Sequence, residues 1–158
     1  MGDAAEGAGE SLKAADSFYQ FNTYGDALRE SLGPAYQSHK AEYDDILRQA
    51  KEYGVEVTFR KGILAYEPSL TAGKPGRLIL DPDASIGALR HEFKHLLDDA
   101  DMGHPGFQIM ANRDQFWEIE RRGYMEELGL ARQIKDARAE KLILQEMQER
   151  KKEIFGGE

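Results

Sequence analysis

The stretch from Asp81 to Asp99, DPDASIGALRHEFKHLLDD, decides how the rest of the chain is read. It opens with turn-forming Asp81-Pro82-Asp83 and then runs as a helix to about Asp99. At about 100° per residue, Ile86, Leu89, Phe93, Leu96 and Leu97 share one side, while His91 and His95 lie almost opposite. An apolar face of this kind packs on a sheet and leaves the histidines facing a cleft. Two histidines four apart on one helix face bring both imidazoles to a single Zn²⁺, and Glu92 between them stands close enough to take a proton from bound water. The same spacing also describes two solvated surface histidines, so pattern alone leaves both readings open.

Outward from this helix, the period changes. Upstream, Arg77-Leu78-Ile79-Leu80-Asp81 reads as a short strand ended by Pro82, and Pro68 to Gly76 as a loop. Val55, Val57 and Phe59 alternate with Glu56, Thr58 and Arg60. Lys61-Gly62 then makes a turn before a strand at Ile63-Leu64-Ala65-Tyr66. Before the strands, Tyr36, His39, Tyr43, Ile46, Leu47, Ala50 and Tyr53 recur at helical spacing after Pro34, and Gly54 supplies the stop. His39 lies on that stripe as a packing histidine. Three short strands between helices predict an α+β fold, a small three-stranded sheet packed against the HExxH helix and further helices.

Downstream, Asp114 can cap a helix to about Gly129 whose apolar stripe is Phe116, Trp117, Gly123, Tyr124, Leu128 and Ala131. Glu120 sits at the centre of that stripe and Glu127 two turns along it, whereas Glu118 and Glu126 fall on the far side. A glutamate within an apolar face needs a compensating positive charge, which a metal or a structural ion pair can supply. Glu120 is therefore the candidate third metal ligand, with Asp101 and Glu127 as alternatives. Gly123, costly inside a helix, implies close approach to a neighbour, for which the HExxH helix is the candidate. Asp98 can accept a ring N–H from a ligand histidine or simply close the last turn. His104 and Tyr124 can each donate to an oxyanion, or serve as a turn histidine and a core aromatic. The charged remainder, 131–152, reads as a helix that continues the previous one or packs as an arm.

Composition narrows the classes. The 158 residues are enough for one domain, here 11–158, and the small acidic residues 1–10 read as a flexible linker. With no cysteine, any metal must rest on His and carboxylate ligands. The net charge of −8 argues against nucleic acid, and no apolar run approaches the roughly 18–20 residues of a membrane span.

The order of short strand, HExxH helix, loop and a helix bearing Glu120-Arg121-Arg122-Gly123-Tyr124 resembles the minimal gluzincin-type zinc metallopeptidases. In that group the third ligand opens a Glu-x-x-Ala-type segment; Gly123 stands here in place of the alanine. The segment 76–84 looks like the strand and turn that these domains place before the active-site helix, and the resemblance covers about residues 55–130. It implies a minimal zincin-like fold, one Zn²⁺ per chain on His91, His95 and Glu120, and Glu92 as general base for hydrolysis of a protein or peptide. A substrate is expected to pair with the strand at 77–81, as an exposed edge. Asp101 lies where another zincin class carries its third ligand, but Asp98 replaces the glycine which that class needs midway.

More narrowly, the chain resembles the metallopeptidase toxin domains of bacterial polymorphic (Rhs-type) toxins and effectors. That implies secretion or delivery into a target cell, and a cognate immunity protein as partner. The other classes compatible with the residues are an inactive zincin-fold binding module, a zinc amidase acting on a non-protein amide, and a cytoplasmic rather than a delivered protein.

Overall fold

The computed structural model describes residues 25–156. The sequence expectations for the linker 1–10 and for the aromatic segment as far as Tyr24 lie outside them. The fold is α+β. Helices α1 (Arg29–Leu32), α2 (Ala35–Ser38) and α3 (Lys40–Glu52) precede strands β1 (Glu56–Phe59), β2 (Ala65–Glu67) and β3 (Arg77–Leu80). Then come α4 (Ile86–Asp101), a 3₁₀ turn (Phe107–Ala111), α5 (Arg113–Gln133) and α6 (Ala137–Phe155). Among the described residues no helix is long and apolar enough to cross a membrane.

The sheet order is β1-β3-β2, with β3 parallel to β1 and antiparallel to β2. This overturns the expected substrate pairing with the strand at 77–81, because β3 is central and both its edges are taken. The physical reason lies in its side chains. Leu78, Ile79 and Leu80 are all buried, and a strand covered on both faces belongs in the middle of a sheet. The turn at Lys61-Gly62 separates β1 from β2 without pairing them. Gly62 takes a positive φ of 82° there and donates its N–H to Asp81 Oδ2 at 2.8 Å.

Several boundaries differ from the periodic reading. The helix expected over 34–53 is broken at His39 (φ −139°, ψ 51°), which is half-buried and hydrogen-bonded to Ser38 Oγ at 2.8 Å. Ser85 caps α4, its hydroxyl accepting the N–H of Ala88 at 3.2 Å. Asp26 in turn accepts both the backbone N–H and the hydroxyl of Ser85, so the start of α4 is fastened to the N-terminal segment. Asn112, not Asp114, caps α5. That helix runs past Gly129 because Leu130 and Ala131 still have core to cover. It ends near Lys135 (φ 57°), and α6 begins afresh at Ala137, so the C-terminal helix is a separate element and not residues 131–152.

Candidate metal centre

Helix α4 is covered on both sides. Ile86, Leu89 and Leu96 pack into the main core beneath the sheet, while α5 lies across the histidine face. The cleft expected there is closed, and the solvated-surface reading fails: His91, Glu92 and His95 are each 1% exposed and Glu120 is 0% exposed. Gly123 makes this approach possible. A Cβ at that position would stand 2.5 Å from His91 Cδ2 and Nε2, so only a glycine lets α5 sit so close.

The donor atoms of His91, Glu92 and His95 lie within 4.8 Å of one another, a group that could hold a metal ion. The two imidazoles meet edge to face, with ring centres 4.8 Å apart at 77°. Glu120 joins the cluster through His95, its Oε1 lying 3.1 Å from His95 Nε2. Its other oxygen, Oε2, accepts from Arg150 Nε at 2.9 Å. Burial pushes the Glu120 carboxyl up, but the hydrogen bond and charge of His95 and the charge of Arg150 outweigh it and hold it below its ordinary value.

His91 Nδ1 lies 2.6 Å from Glu127 Oε2. Burial, helped by the nearby charges of His95 and Arg150, depresses His91 well below the usual histidine value, so the ring is neutral. Burial together with Glu146, Asp26, Glu92 and Glu120 drives Glu127 far above the usual carboxyl range. A cation at His91 Nε2 would favour the arrangement in which Nδ1 carries the proton and donates it to Glu127, a common way of orienting a ligand histidine. Glu127 lies on the Nδ1 side of His91, outside the converging group of His91, Glu92 and His95.

The other expected residues fall as follows. Asp98 faces Arg122 at 3.4 Å and Lys94 at 3.6 Å and shows no histidine partner among the described residues; the carboxylate that meets His91 is that of Glu127. Asp101 is exposed on the last turn of α4, turned out to solvent by the helix itself, and is not part of the histidine group. Tyr124 is 3% exposed and packs edge-on against His91, ring centres 4.7 Å apart. Burial, with Glu120, Glu127 and Glu146, keeps its hydroxyl protonated well above the usual tyrosine value.

His104 is half-buried, with Nδ1 2.9 Å from Asp99 Oδ2, an oxygen that also accepts the hydroxyl of Tyr66 at 2.5 Å. Beside His95 lies a cavity of about 10 Å³, lined by Tyr66, Asp99, Met102, Ile109 and Ile119, with room for about one water. A larger concavity of about 420 Å³ opens on the far side of Phe116 and Arg150.

Sequence reasoning missed Arg150 and Asp99. A signal existed for the first: Ile143, Met147, Arg150 and Ile154 follow helical spacing, so an arginine interrupts the one apolar stripe of α6.

The buried donor set of His91, Glu92 and His95 could hold a metal ion. Compared with known protein families, with curated proteins and with solved structures, the chain finds no match. Its functional reading therefore rests on its own residues.

Proposed function

We propose that the chain is a zinc-dependent endopeptidase of the minimal zincin type, with His91, His95 and Glu120 as metal ligands and Glu92 as general base. The observation that carries this reading is the convergence of His91, Glu92 and His95 within 4.8 Å in a buried pocket. A glutamate oxygen from the facing helix also rests on His95.

Zinc bound here would supply Lewis acidity, polarising a carbonyl and acidifying a water. The chain would do the rest. Glu92 would take the proton of the attacking water and return it to the leaving amine. Glu127 would hold the His91 ring in one tautomer. Tyr124 would keep its hydroxyl proton at any working pH, as a donor must. The resemblance to toxin domains extends the proposal to a target-cell protein as substrate and an immunity protein as partner.

Burial favours a second reading. Structural zinc sites are closed, whereas catalytic ones keep an open position. In a binding module with the same residues, the metal would serve the fold alone. Glu92→Gln separates the two. The enzyme reading expects about one zinc per chain, as in the wild type, with peptide hydrolysis lost. Zinc retained with no hydrolysis by the wild type across broad peptide libraries would sink it in favour of the structural site. Glu120→Gln should lose the metal and Asp101→Ala retain it. Gln is preferable to Ala at position 120, because removing the whole side chain would take from Arg150 the acceptor of its Nε–H.

A further inference from the structure

Arg150 of α6 reaches the candidate metal centre through Glu120. It is 6% exposed, and its guanidinium is held on three sides: Nε on Glu120 Oε2 at 2.9 Å, Nη1 on Glu153 at 2.8 Å, and the plane over Phe116 at 5.5 Å. Phe116 and Glu120 are four apart on α5, so the arginine docks across one turn of that helix. Each carboxylate oxygen of Glu120 then has a different neighbour. Oε2 is committed to Arg150, and Oε1 is left beside His95 Nε2.

We propose that Arg150 is a positioning residue for the metal centre: by binding Oε2 it presents the single oxygen Oε1 of Glu120 to the ion, making the C-terminal helix part of the site. This rests on the metallopeptidase reading above. Two effects oppose each other. A guanidinium near a dication repels it, which would make removal of Arg150 tighten binding. Loss of an outer-sphere partner, by contrast, generally weakens a metal by about 10–100-fold. Charge decides between them here. Beside the candidate ion, the buried carboxylates Glu92 and Glu120 outnumber the single guanidinium by one, so an arriving divalent ion still meets a net negative charge with Arg150 present. Repulsion is thereby offset, and fixation of the ligand oxygen dominates.

The test is zinc affinity by competition with a chromophoric chelator, alongside the visible spectrum of the Co²⁺-loaded protein, for the wild type, Arg150→Met, Arg150→Lys, Glu153→Gln and His91→Ala. The expected order is wild type and Glu153→Gln tightest, Arg150→Lys weaker, and Arg150→Met weakest by about 10–100-fold. The Co²⁺ bands should change in both Arg150 variants, as the carboxylate loses its fixed presentation. A merely structural arginine would lower thermal stability and leave those bands alone. Should Arg150→Met not fold, Arg150→Lys carries the test, since it keeps the buried charge. Zinc affinity in an Arg150 variant equal to or tighter than wild type, with His91→Ala still abolishing binding, overturns the positioning role alone. No zinc binding by the wild type overturns the metallopeptidase reading and this inference together.

Discussion

Replacing Glu146 by glutamine should stabilise the protein, by an amount that depends on pH in a defined way. Glu146 lies on α6, half-buried, and its Oε2 is inaccessible and has no hydrogen-bond partner among the described residues. Burial, with the charges of Asp26 and Glu149, raises its pKa from 4.5 to about 8. A carboxyl with a raised folded value is bound to its proton more tightly in the native than in the unfolded chain. Its cost to stability is therefore absent below about pH 4.5, grows through the window up to about 8, and is constant above it. Each pH unit in that window costs about 1.4 kcal/mol, so at pH 7 the penalty is about 3 kcal/mol. Glutamine has no proton to lose and avoids it. Urea unfolding followed by circular dichroism, with a chelator present to exclude metal linkage, should show the two proteins nearly equal at pH 4.5. By pH 7 their midpoints should separate by about 1–2 M, for a slope of about 2 kcal/mol per molar urea. A stability difference that is zero at pH 7, or the same at pH 4.5 and pH 7.5, would refute the reasoning.

Gly123→Ala should destabilise by about 1–3 kcal/mol even though alanine is the better helix former, because its methyl would meet His91 at 2.5 Å; calorimetry measures the cost. The same variant should take up less zinc, since the displaced atoms include Nε2, and metal analysis reads this directly. Ser85→Ala removes the cap of α4 and the partner of Asp26, costing about 1–2 kcal/mol in chemical unfolding, with Ser85→Thr close to wild type. Asp99→Ala removes an acceptor from both Tyr66 and His104, so hydrogen exchange at the Phe107 and Gly73 amides should quicken by about tenfold or more while α4 stays protected.

The site was more legible in the sequence than the sheet, for a physical reason. A metal site on one helix is a local pattern, and the spacing of His91 and His95 alone brings the imidazoles together. Glu120 was visible as well, as a charge that an apolar stripe cannot hold uncompensated. Strand order depends on contacts distant in sequence. Yet the unbroken apolar run Leu78-Ile79-Leu80 already marked a strand covered on both faces, unlike the alternating Val55-Glu56-Val57-Thr58. Arg150 was harder to read because α6 is charged along most of its length, so one buried arginine does not stand out among the exposed ones. The compensating charge offered for Glu120 was a metal or an ion pair; in the structure its carboxylate faces both a guanidinium and a histidine, one on each oxygen.

That double arrangement bears on how the site could be reached. The histidine face is sealed by α5, which is held to α4 by the fit of Gly123 on His91 and to α6 by the Glu120–Arg150 pair. Opening there would cost a buried ion pair and the main core together. The segment between α4 and α5 is different. Its Phe107, Ile109 and Met110 pack with Phe116, Ile119 and Ile154 in a cluster separate from the main core. Its backbone is pinned to the loop after β2 by two hydrogen bonds, Phe107 N to Ser69 O at 2.9 Å and Gly73 N to His104 O at 2.7 Å. Gly103, His104 and Gly106 all take positive φ, which allows sharp changes of direction at its α4 end. A small satellite cluster with few ties opens at lower free energy than a core. Ile109 of this segment lines the cavity beside His95 together with Tyr66 and Asp99, so loosening the segment would expose the His95 end of the pair first.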